Sequence, residues 1–217
     1  MKIQVSLVDR FCDTRPMMAI LVFAPVYALI AHLTILPAEV AVPVSGSAVS
    51  PAVLVDVNKK GTGWTQIDTG YFDIYYEDGV DLGSVERHLR KRIYLFGPSA
   101  PGDMNIEGKI GYRLNALFVR TKDILDMHPQ MPKLKIKIYK SEDGLNNEYH
   151  QLSGDSGAVK AFYVRDLETL FTSEDTISDS VLSHEIAHTI IDHYFAIVPS
   201  TKVAEVLASY VDMHISD

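Results

Sequence analysis

The segment Ser183-His-Glu-Ile-Ala-His188 carries two histidines four residues apart, with a glutamate directly after the first. On an α-helix each residue turns by about 100°, so His184 and His188 differ by about 40° and project from one face. Their offset along the axis is about 6 Å, which lets two imidazoles converge on one metal ion. Glu185 emerges beside them, placed to take a proton from a water that zinc acidifies and so to drive its attack on a carbonyl. The flanks suit a buried active-site helix, because Val181, Leu182, Ile186, Ala187, Thr189 and Ile190 bring neither charge nor proline. Without a metal, the same residues would be a helix with two unrelated histidines.

A third ligand has to come from elsewhere. The longer pattern with a histidine six residues after the second one fails, since that position is Tyr194 and the required glycine is Ile191. His193 falls about 180° from His184 on the same helix and faces away. Glu205 is the better choice. It lies in Ala204-Glu-Val-Leu-Ala-Ser-Tyr-Val211, on a second helix reached through Val198-Pro199-Ser200. An antiparallel helix pair with this connection brings a carboxylate over the histidine face, and Ala208 is small enough for close approach. Two histidines and a glutamate with one open position form a known catalytic zinc arrangement.

The pair of motifs, His184-Glu-x-x-His188 and Glu205-Val-Leu-Ala208-Ser-Tyr210, resembles the gluzincin metallopeptidases, whose second motif commonly reads Glu-Gly-Leu-Ala-x-Tyr. The layout from about Gly63 to Asp217 is similar to the small peptidase MA-like, or minigluzincin, domains of bacterial envelope proteins. In that group a tryptophan and an aromatic strand open the domain, and a strand before the zinc helix edges the substrate cleft. Here these would be Trp64, Phe72 to Tyr76, and the segment Ala161 to Thr172. The resemblance implies one zinc ion per chain, ligands His184, His188 and Glu205, and Glu185 as general base. It departs at Ser209, where the thermolysin-like branch has an aspartate that orients a histidine. Asp212 shares the face of Glu205 but sits about 10 Å along the axis. A donor to the transition state is not assigned; Tyr163, Tyr194, Tyr210 and His150 are the available residues.

The elements that must position these groups follow from periodicity. Tyr71 to Tyr76 and Leu134 to Tyr139 alternate as strands, and Ala161–Val164 and Thr169–Thr172 form two more around a turn through Arg165 to Glu168. Ser84 is expected to cap a helix carrying Val85, Leu89 and Ile93, whose basic residues Arg87, His88, Arg90, Lys91 and Arg92 make a solvated face. A second helix is predicted over Ile110 to Met127, a third from Asp175 or Ser178 to about Phe195, and a last from Thr201 to Met213. Strands early and helices late predict an α+β domain, a small mixed sheet packed on helices, with the zincin-like helix pair at its end.

Composition bounds the rest. The 217 residues carry 20 Lys+Arg against 28 Asp+Glu, a net charge of −8, and no basic run that would grip nucleic acid. A single cysteine, Cys12, excludes a disulfide within the chain. Met17 to Leu36 is twenty residues without formal charge, long enough to span a bilayer. Lys2, Arg10 and Arg15 precede it and no Lys or Arg follows until Lys59, an asymmetry that sends the C-terminal part across the membrane. Two readings stand for residues 1–41, a cleaved signal peptide or a retained anchor, with a linker over 42–62 and the catalytic domain over 63–217. The first fifty residues carry three basic and three acidic groups, so all of the −8 belongs to the remainder.

The expected protein is therefore an exported zinc peptidase, periplasmic or extracellular, acting on a peptide or protein substrate and with no nucleic-acid partner. Two other classes compete with it. One is a non-catalytic envelope protein that keeps zinc as a clamp or scaffold, and the other is a metal-free binding module. Oligomeric state and cleavage specificity are not legible in the sequence.

Overall fold

The structure, a computed structural model, describes residues 56–60, 63–89 and 102–216, the first of these by backbone pairing. The leader with Cys12 and the apolar run 17–36, the first part of the expected linker, and Ile93 with Arg90, Lys91 and Arg92 lie outside the described residues. Among the described residues no helix is long and apolar enough to cross a membrane.

Among the described residues six strands form one sheet: β1 (Asp56–Lys60), β2 (Trp64–Asp68), β3 (Phe72–Glu77), β4 (Leu134–Tyr139), β5 (Ala161–Val164) and β6 (Thr169–Ser173). Their spatial order is β1-β2-β3-β4-β6-β5. The three N-terminal strands form an antiparallel meander, β4 runs parallel to both β3 and β6, and β5 closes the far edge antiparallel to β6. The fold is α+β with a mixed sheet. β1 starts within the segment expected to be linker, and Gly63, with φ +79, makes the turn into β2 that a residue with a Cβ would strain.

Among the described residues five α-helices flank the sheet: α1 (Leu82–His88), α2 (Ile106–Leu125), α3 (Glu142–Ser153), α4 (Asp179–Tyr194) and α5 (Thr201–His214). The period-2 alternation of the strands divides the core in two. Ile74, Leu134, Ile136, Ile138 and Leu170 face the layer of α1, α2, α4 and α5, whereas Tyr139, Val164, Phe162 and Phe171 face α3 through Leu145 and Tyr149. Phe162 on β5 and Phe171 on β6 stack at 4.6 Å with planes 7° apart.

The boundaries depart from expectation where a cap outcompetes the apolar pattern. Asp81, not Ser84, caps α1, its side chain accepting from the Gly83 amide. α2 begins at Ile106 because Asn105 caps it, and it ends where Asp126 turns left-handed. α3 was not anticipated. Ser141 caps it and Gly154 closes it at φ 71, but only Leu145 and Tyr149 are buried, so its apolar stripe is too thin to stand out.

α5 packs on α4 through Ala204, Ala208 and Val211, all buried. Ala208 leaves no space for a longer side chain. Ala208→Leu should lower stability by about 1–3 kcal/mol in urea unfolding, whereas Ser209→Leu at the next, exposed position should change it by less than about 0.5 kcal/mol.

Candidate metal centre

α4 is nearly all interior: from Val181 to Ile191 every residue is buried. Ser178 caps it by accepting from the Val181 amide, and Asp179 in the first turn complements the helix dipole. An apolar helix inside a core has no water to satisfy polar side chains, so each must find a partner in the protein. His184 is 7% exposed, His188 5% and Glu185 0%.

The partner of the histidines is Glu205. After α4 the chain becomes extended at Phe195 and re-enters helix behind Ser200, whose carbonyl accepts from the amides of Val203 and Ala204. Glu205 Oε2 lies 3.4 Å from His184 Nε2, and Glu205 Oε1 lies 3.5 Å from His188 Nε2. The two Nε2 atoms are 3.2 Å apart, with ring centroids at 4.9 Å and planes crossing at 63°. Thus three donor atoms, one from each residue, lie within 4.8 Å of one another. Bonds of about 2.0–2.1 Å at tetrahedral angles place neighbouring ligand atoms about 3.3 Å apart, so the separations fit a small tetrahedral cation. The chemistry agrees, since two imidazole nitrogens and a carboxylate are a donor set that binds transition metals. Glu205, with its side chain 32% exposed, is the side on which the cluster meets solvent.

Charges at this seam are coupled. Burial alone would lower the His184 pKa, but the hydrogen bond to Glu205 and the charges of Glu185, Glu205 and Asp212 outweigh it and raise it. Burial alone would raise the Glu205 pKa, but hydrogen bonds and charge from the two imidazoles bring it down to about 2. Asp192, one turn beyond His188, is raised by burial against the opposing pull of Arg165, His188 and His193. Arg165 lies 3.7 Å from Asp192 Oδ2 through Nε and donates to the Asp192 carbonyl at 3.4 Å.

Of the residues singled out in the sequence, His184, His188 and Glu205 come together, with Glu185 buried one residue along from the first. His193 is directed elsewhere, with Nδ1 at 2.8 Å from the Thr189 carbonyl and Nε2 at 3.4 Å from Glu168. Tyr163 is tied to Glu168 by its hydroxyl at 3.0 Å, Tyr194 and Tyr210 are exposed, and His150 on α3 contacts the Gly157 carbonyl at 3.2 Å. Sequence reading missed Asp192 and Arg165. Asp192 had a signal, because it repeats the four-residue spacing of His184 and His188, but nothing local pairs Arg165 with it across 27 positions.

Comparison with protein-family models, with curated proteins and with solved structures returns no match to this chain.

The opposed shifts make a prediction for the metal-free protein. The depressed Glu205 stabilises the fold fully above its ordinary value of 4.5, a contribution lost as pH falls toward about 2. The raised His184 stabilises fully below its ordinary 6.5, a contribution lost as pH climbs through its folded value. The difference in melting temperature between the metal-free chain and Glu205→Gln should therefore peak between pH 4.5 and 6.5 and shrink on both sides. A difference independent of pH would refute the pairing.

Proposed function

We propose that this chain is a zinc-dependent peptidase of the gluzincin type, in which His184, His188 and Glu205 hold one ion and Glu185 is the general base. The convergence of three donor atoms beside a fully buried carboxylate carries this reading. Zinc, when bound, supplies a Lewis acid that polarises a carbonyl and brings the pKa of water to about 7. The remaining work belongs to the chain. α4 fixes both imidazoles on one face, and α5, packed on α4 with Ala208 fully buried, presents Glu205 to both. The Glu185 carboxylate takes the proton that water sheds as it attacks the carbonyl carbon. It then returns that proton to the amide nitrogen as the C–N bond breaks.

The sheet order supports a peptide as substrate. β5 is the end strand and packs against α4, so an extended chain aligned with it would run past the donor cluster, in the manner of strand addition. Export, with residues 17–36 as leader or anchor, belongs to the same proposal and rests on the charge asymmetry around that run. A second reading, an envelope protein that uses the ion as a clamp, is favoured by the engagement of two of the available donors elsewhere, Tyr163 with Glu168 and His150 with the Gly157 carbonyl. Glu185 opposes it, because a clamp needs no base.

Glu185→Gln separates the two. Digestion of a broad peptide library should fall at least about 100-fold, with zinc content unchanged from the parent chain. Hydrolysis that survives this substitution refutes the mechanism, and a parent chain that binds zinc but cleaves nothing supports the clamp.

A further inference from the structure

α5 buries one face and leaves another without a partner. Ala204, Ala208 and Val211 are buried, and the helix packs on α4. Both carboxylates of the helix also engage α4, Glu205 at the two histidines and Asp212 as acceptor of the Ser180 hydroxyl. On the outward side Val203, Val206, Tyr210 and Met213 are all exposed, Val206 to 64% and Met213 to 67%. Steps of three, four and three residues keep these four within about 80° of one another, a single stripe along the helix. Ile197, in the turn that leads to α5, is 87% exposed. The exposed polar residues of α5 are Thr201, Lys202 and Ser209. In a chain of net charge −8, the exposed residues of this helix thus include one cation and no carboxylate.

We propose that the Val203–Val206–Tyr210–Met213 stripe is a contact surface for the lipid bilayer to which the chain is tethered. This rests on the reading of residues 17–36 as a membrane segment. Residues 37–55 join that run to β1 and reach at most about 65 Å when fully extended. The domain therefore stays close to the bilayer, and a tethered contact works at an effective concentration that lets a weak surface engage. The residue types suit an interface. Val and Met side chains enter the acyl boundary, the Tyr210 hydroxyl stays among the headgroups, and Lys202 extends its ammonium toward lipid phosphates. With Glu205 and Asp212 turned to α4, α5 opposes those phosphates with no exposed carboxylate. A second copy of the chain is the competing occupant. The 14 residues of α5 make a stripe about 21 Å long and one side chain wide, short of the roughly 800 Å² per partner that a stable dimer buries.

The test uses the full chain with Cys12→Ser, which removes its one cysteine, reconstituted with vesicles of phosphatidylcholine and phosphatidylglycerol. A fluorophore is attached either at Met213→Cys or at Gln151→Cys, an exposed position of α3 on the other side of the sheet. Nitroxide-bearing lipids should quench the label at 213 at least about twofold more than the label at 151, because an interfacial helix sinks its apolar face about 5–10 Å into the headgroup boundary. Val206→Glu should abolish the difference and leave the circular dichroism spectrum unchanged, since the position is exposed. If the chain floats with the vesicles but both labels are quenched equally, or the difference survives Val206→Glu, the lipid contact is refuted and the membrane segment stands. Cross-linking between copies through position 213, in place of lipid quenching, assigns the stripe to a second copy and also refutes it. A chain that does not float with the vesicles refutes the membrane segment and the contact together.

Discussion

A helix buried on every side cannot carry polar groups unless something opposite answers them, and this constraint governs how α4 and α5 meet. The two imidazoles have their Nε2 atoms 3.2 Å apart, a distance at which two lone pairs repel unless a proton or a cation lies between them. Glu205 supplies negative charge to both rings at once. For that contact α5 has to run antiparallel to α4 and approach closely, which only small residues such as Ala204 and Ala208 permit. The approach in turn depends on the sheet and α2, which fix the opposite side of α4.

The sheet serves the site by holding the far side of the same helix. β5 lies at the sheet edge against α4, and its turn to β6 forces Glu168 into a left-handed conformation at φ 48. A residue with a side chain adopts this only at some cost, and Tyr163 and His193 offset it by engaging the two carboxylate oxygens of Glu168. His193 lies in the last turn of α4, so the same contacts link the β5–β6 turn to the end of that helix. Arg165 adds a second link through Asp192. The His188 end of the seam is thus braced by the hairpin, and the His184 end by Ser180 and Asp212.

Local signals in the sequence reached the elements that carry the donor cluster and not the connections between them. The strands Leu134–Tyr139 and Ala161–Val164 and the two C-terminal helices were legible because their periodicity and breakers agree. β1 was not, because Asp56 to Lys60 lacks an apolar alternation of its own and becomes a strand only by pairing with β2. α3 was obscured by its polar composition, although its caps were present. At the site, His184, Glu185 and His188 were legible as a short-range pattern, and Glu205 followed from helix geometry. Ser209 and Asp212 both stay open in the sequence as residues behind the ligands, because distance along one helix does not give the direction of its neighbour. Pairs such as Arg165 with Asp192 are decided by tertiary packing alone.

The charge of the seam argues for what it holds. Around two imidazoles stand the carboxylates of Glu205, Asp212, Glu185 and Asp192, with Arg165 as the cation paired to the last. Without an ion, this excess of negative charge favours the charged form of His184, which is why its pKa rises although burial acts the other way. A proton on His184 can engage Glu205, but it cannot satisfy His188 at the same time with equal geometry. A divalent cation can engage all three donor atoms together and offsets more negative charge than one proton does. If an ion binds as proposed, the two states compete for the same lone pairs, so binding would release the proton and affinity would rise with pH. The acidic surroundings that would burden an ordinary buried helix therefore favour a cation at this one point.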